Sequence, residues 1–119
     1  MIDPVGDSTM QALGRALTGL SARQRTIADN VANLQTPGYI AGRVDFESSL
    51  ASAWAGGGDV TGAPIRRLAS QDPVGLNGNN VNLDEETLAA TETGLSYQLG
   101  VQAMTDRFQR LRSAIGGVG

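Results

Sequence analysis

Cysteine, histidine and lysine are all absent from this 119-residue chain, and each absence removes a kind of chemistry. Without Cys there is no disulfide, no thiolate nucleophile and no Cys-ligated metal. Without His the usual general base and the commonest metal ligand are gone. Without Lys there is no Schiff-base chemistry and no phosphate-loop lysine; all nine basic residues are Arg. Serines such as Ser21, Ser48 and Ser49 therefore have no His or Lys to activate them. Neither enzymatic activity nor a cofactor or metal is expected.

Other shortages bound the class. Aromatic residues make up 4% of the chain and hydrophobic residues 40%, with 16 Gly, so a core must be built from Leu, Val, Ile and Ala. The length suits one domain. No apolar run reaches the ~18 residues that a membrane-spanning helix needs. Met1-Ile2-Asp3-Pro4 lacks the basic-then-apolar start of a cleavable secretory signal. The expectation is a chain that stays in the cytosol or leaves by a route that reads no such signal. A net charge of −3 argues against general nucleic-acid binding.

The pattern that is present is helical. Met10, Leu13, Leu17, Leu20, Gln24, Ile27, Val31 and Leu34 alternate in steps of three and four, a heptad seam interrupted only by Gln24. Ser8 with Gln11 forms a capping-box pattern. Thr36-Pro37-Gly38-Tyr39 closes the segment, and Pro-Gly suits the centre of a type II turn. These signals predict a helix from about Ser8 to Leu34. A second helix is predicted from about Leu83 to Ile115, capped by Asn82 and stopped at Gly116-Gly117. Asp84, Glu85 and Glu86 at its start and Arg107, Arg110 and Arg112 near its end complement the helix dipole.

The second helix carries two apolar stripes. Leu88, Leu95 and Leu99 share one face, and Tyr97, Val101, Met104, Phe108, Leu111 and Ile115 follow the opposite one. A single helical partner covers only one of them. The remainder needs the middle segment, a bend near Gly94 or Gly100, or another chain. In the middle, Phe46, Leu50 and Trp54 at i, i+4, i+8 predict a short helix broken by Gly56-Gly57-Gly58. Val60, Ile65 to Leu68 and Val74 to Leu76 read as short strands or extended packing segments, with residues 51–80 least defined.

The chemical candidates have plain alternatives. The acidic trio is explained by helix-start charge. The Asn77 to Asp84 cluster fails the spacing of a calcium loop. The glycine run lacks the residues of a phosphate loop, and Arg66-Arg67 reads as exposed loop charge.

Two motifs nevertheless carry a resemblance. Ala28-Asp29-Asn30-Val31-Ala32-Asn33-Leu34-Gln35-Thr36-Pro37-Gly38-Tyr39 resembles the signature of bacterial flagellar rod and hook proteins. Val44-Asp45-Phe46-Glu47 with Leu50, then Gly78-Asn79-Asn80-Val81-Asn82-Leu83-Asp84-Glu85-Glu86, are similar to the proximal rod members of that family. Asp29, Ile40, Thr87 and Thr93-Gly94 depart from the usual residues.

The resemblance implies a mainly α structural subunit of the flagellar basal body, with its two long helices paired as a hairpin or coiled coil. It implies residues 1–36 and 82–119 as one helical core and 37–81 as a loop-rich middle. It also implies export by the flagellar type III apparatus, and as partners the MS-ring protein, the ring-to-rod adaptor, other rod proteins and further copies of the chain. On this reading Asn30, Asn33, Thr36, Pro37, Gly38, Tyr39, Gly78, Asn79 and Asn80 are motif and turn residues. Leu13, Leu17, Leu20, Ile27 and Val31 pack the first helix on Leu88, Leu95 and Leu99 of the second. The Tyr97, Val101, Met104, Phe108, Leu111 and Ile115 face is left to neighbouring subunits. The rival expectation is a self-contained helical-hairpin adaptor or another rod or hook protein.

Overall fold

The computed structural model describes residues 4–116. The reading of Met1-Ile2-Asp3 and the Gly117 half of the expected helix stop lie outside the described residues. The chain is mainly helical. Helix α1 runs Pro4–Ala32, α2 Glu47–Ala55 and α3 Leu83–Gly116, with strands β1 Gly42–Asp45 and β2 Arg66–Ala69 between them.

Helix α1 starts four residues before the expected cap, so Ser8 lies inside the helix. A proline in the first turn forfeits no helical hydrogen bond, which lets the helix begin at Pro4. The helix ends at Ala32, short of Leu34. There the Leu34 N–H bonds to Val31 O at 3.2 Å, a tightened last turn. At α3 the expected cap is in place: Asn82 Oδ1 accepts from the N–H groups of Asp84 and Glu85 at 3.0 and 3.3 Å.

The middle segment folds against α1. Helix α2 begins after Phe46 and stops at Gly57, whose φ of +66° is a left-handed conformation suited to Gly. The Gly58 N–H reaches back to Ala53 O at 3.0 Å to complete the stop. Strands β1 and β2 pair antiparallel, with Val44 opposite Arg67. The expected strand at residues 65–68 is β2 within one residue. Val60 belongs to a single 3-10 turn, Val60–Gly62, and Val74 to Leu76 form no strand. The partner strand β1 was not anticipated.

The buried apolar core is Ile27, Ala41, Val44, Phe46, Val60 and Ala63, drawn from α1 and the middle segment alone. Gly19 lets Phe46 sit on α1: a Cβ there would lie 2.5 Å from its ring carbons. Arg23 ties the same contact from the side. It stacks 4.9 Å over the Phe46 ring, donates to Val44 O at 2.6 Å and grips both Glu47 oxygens.

Helices α1 and α3 run antiparallel in a hairpin within a molecule 67 Å long and 14 Å thick. Their contact corrects the packing expected from the leucines. Leu88, Leu95 and Leu99 are 60%, 58% and 63% exposed and do not form the seam. The helices meet instead through small and polar residues. A Cβ on Gly100 would lie 2.8 Å from Leu17 Cδ2, so only glycine permits this approach. Gln24 Nε2 donates to Ala90 O at 3.1 Å beside Gly94, and Thr93 and Glu86 are buried. Met104, expected on the outer face, comes within 3.7 Å of where a Gly14 Cβ would stand. Val31 is also exposed rather than packed in the seam.

Candidate functional site

The two motifs meet at one end of the hairpin. Thr36-Pro37-Gly38-Tyr39 forms a turn closed by the Tyr39 N–H on Thr36 O at 3.2 Å, with Gly38 at φ +75°. That positive φ in the third position is the type II requirement. Opposite it, Gly75 to Gly78 forms a second turn, closed by the Gly78 N–H on Gly75 O at 3.0 Å. The Gly38 N–H donates to Asn77 O at 2.9 Å, and a Cβ on Gly78 would lie 3.4 Å from Gly38 Cα. Each glycine thus serves both its own turn and the contact between the turns.

Asparagine amides fasten this junction. Asn79 Nδ2 faces three carbonyls, those of Asn33, Leu34 and Thr36, at 2.8 to 3.2 Å, where α1 unwinds. Its Oδ1 accepts from the Val81 N–H at 2.7 Å, so one side chain closes the end of α1 and orients the approach to α3. Asn80 Oδ1 accepts from the Ala41 N–H at 2.7 Å while its Nδ2 donates to Asp72 O. Asn30 is fully buried and exchanges two hydrogen bonds with Gly42, imitating a strand partner at 2.8 and 3.0 Å. Asn33 donates locally to Asp29 O and accepts from the Thr36 hydroxyl. Arg67 Nη1 bonds to Asp29 at 2.9 Å and Nη2 to the Tyr39 hydroxyl at 3.3 Å; the Asp29 contact raises the already high Arg67 pKa.

Beside the junction lies a charge cluster that the sequence reading took for simple helix-start charge. Glu86 is 1% exposed and accepts from Arg43 Nη1 at 2.8 Å. Arg43 also lies 3.3 Å from Asp72 and 3.9 Å from Glu85. The missed signal is angular: Glu86 shares a face with Ala90, Thr93 and Gly100 by 100° per residue, the face turned to α1. Among the described residues no group of His, Cys, Asp or Glu is arranged to hold a metal ion.

Along the hairpin, Tyr97, Val101, Phe108, Leu111 and Ile115 are exposed, as are Leu88, Leu95 and Leu99. Such contiguous outward apolar surface marks an interaction face. No helix among the described residues is long and apolar enough to cross a membrane.

A thin helical hairpin, locked by a polar junction at one end and apolar along its outside, is the build of a structural assembly subunit. The family description "Flagella basal body rod protein" matches residues 10–39, the seam of α1 and the first turn. The chain is 32% identical to the flagellar basal body rod protein FlgB of Cereibacter sphaeroides, with 87% of this chain and 90% of that protein covered. It is 29% identical to FlgB of Bacillus subtilis, covering 92% and 94%, and 27% identical to FlgB of Salmonella typhimurium, covering 93% and 95%. The chain belongs to the FlgB family of flagellar basal body rod proteins, as a structural rod subunit.

Proposed function

We propose that this subunit builds the proximal rod, joins the MS ring to the rest of the rod and passes torque between them. The observation that carries this reading is the pair of outward apolar stripes on α3, too much surface for one chain to cover. Load shared over long lateral helix contacts suits torque better than a small compact interface. Its partners on this reading are the MS-ring protein, the ring-to-rod adaptor, other rod proteins and copies of itself. The subunit reaches the cell envelope through the flagellar type III export apparatus. The motif residues from Asn30 to Tyr39 and from Gly78 to Asn80 hold the two helices in register rather than perform chemistry.

Deletion of the gene, with complementation by native and Leu88→Ser/Leu95→Ser/Leu99→Ser chains, tests the role. The expected result is lost motility in the deletion strain, restored by the native chain and not by the triple variant. Full motility without any copy of the gene would overturn the rod role. In parallel, a cooperative monomer that never associates at any concentration would point to a self-contained adaptor.

A further inference from the structure

Two hollows flank α1 and join into one groove. The first, about 640 Å³, is bounded by α1, β1 and α3; the second, about 540 Å³, by α1 and α2. Leu20, Glu47 and Ser96 line both, so the hollows are continuous. Their characters differ. The first holds the carboxylates of Glu47, Asp72, Glu85, Glu86 and Glu92 against the guanidiniums of Arg23 and Arg43. The second is apolar, walled by Leu50 and Trp54 over Ala12 and Ala16.

The acidic half is incompletely matched. Glu86 Oε2 is buried with no hydrogen-bond partner. Glu92 makes no ion pair among the described residues, while Glu47 is already gripped by Arg23. The complementary surface sits on the same molecule, at the far end of α3. Arg107, Arg110 and Arg112 make no ion pair among the described residues. Phe108, Arg112 and Ile115 fall at i, i+4 and i+7, one face of the helix, and Phe108 and Ile115 are 59% and 70% exposed. Asp106, the nearest acid, lies on the opposite side of α3 and is hydrogen-bonded by Gln102.

We propose that this groove receives the C-terminal arm of α3 from a second copy of the chain. Phe108 and Ile115 seat against Leu50 and Trp54, and Arg112 reaches the unpaired carboxylates at Glu92 and Glu86. The two surfaces are different patches of one chain, so the contact is heterologous. Repeated, it extends into an open helical array rather than closing a dimer. The inference rests on the rod-subunit reading and gives that reading a polarity: each copy's arm points into the next copy's groove.

The test uses the full chain in sedimentation-velocity runs over a concentration series, with circular dichroism to confirm folding. Glu92→Arg and Arg112→Glu are both surface changes. Each is expected to weaken self-association on the order of tenfold, since like charges then face each other. The double variant Glu92→Arg/Arg112→Glu is expected to recover association, because the pair is rebuilt with reversed sign. Added salt weakens the native and double-variant contacts alike. A peptide spanning residues 103–116 is expected to bind the native chain and to lose binding to Glu92→Arg. Single variants that associate like the native chain, or a folded double variant that stays as weak as the singles, would overturn the groove assignment. A native chain that remains monomeric at its highest soluble concentration overturns it too. The rod role is judged apart, by motility of the deletion strain, so the two fail independently.

Discussion

The junction end of this molecule and the outer length of its hairpin are made from the same two long helices, yet they solve opposite problems. At the junction, buried amides from Asn30, Asn79 and Asn80 occupy places where a small domain usually puts aliphatic side chains. Along the hairpin, leucines point to solvent while Gly, Ala and Thr form the internal contact. Hydrogen bonds are directional and fix one geometry; apolar surface is permissive and accepts a range of neighbours. The chain uses the directional interaction to define itself and keeps the permissive one for its surroundings.

The contrast is broken most severely at Asn30. Asn30→Ala strands both backbone groups of Gly42 and is expected to cost about 2–4 kcal/mol, read as a lower urea midpoint, since each buried unsatisfied group costs about 1–3 kcal/mol. Gly19→Ala comes next. A methyl group driven into the Phe46 ring is expected to destabilise the chain by about 1–3 kcal/mol despite the better helix propensity of Ala. A stabilised Gly19→Ala protein would show that Phe46 does not need its seat on α1.

Leu95→Ser sharpens the comparison from the other side. The residue is mostly exposed, so the isolated chain should keep its stability to within about 0.5 kcal/mol. A loss as large as that at Asn30 would mean the leucine stripe supports the fold itself.

The smallest effect is acidic weakening of the Arg23 grip. Hydrogen bonds from the Arg23 guanidinium hold the Glu47 carboxyl below its usual range, with partial burial opposing. A carboxyl lowered in the folded state contributes stability above its unfolded pKa and loses it as pH falls through the folded one. The native chain should therefore outlast Glu47→Gln in thermal melts near neutral pH, and the gap should close below about pH 4.

Much of this architecture was legible from residues alone, and the failures share a cause. The helix at Phe46 to Trp54, the Asn82 cap and the Pro37-Gly38 turn are local signals, set by a few neighbouring residues. The inner face of α3 was misread because hydrophobic periodicity identifies surfaces that avoid water without saying which molecule covers them. Leu88, Leu95 and Leu99 looked like the seam, while Gly94 and Gly100 looked like interruptions of it. Strand β1 depends on β2, with a helix and a 3-10 turn between them, and four residues of Gly-Arg-Val-Asp carry little pattern of their own. Glu86 was hidden by Asp84 and Glu85, whose charges have a sufficient explanation at a helix start.

The one-sided placement of the middle segment also bears on the order of events in time. Its ties to α1 close short spans, such as 12 residues from Asn30 to Gly42 and 21 from Arg23 to Val44. The Gln24 bond to α3 spans 66. Short loops close at lower entropic cost, so α1 and the middle segment form the early folding unit and α3 docks afterwards. Run backwards, α3 is the first element to swing free. Its amides should exchange with solvent deuterium sooner than those of β1, and a newly delivered subunit would retain a pliable strut until its neighbours clamp it.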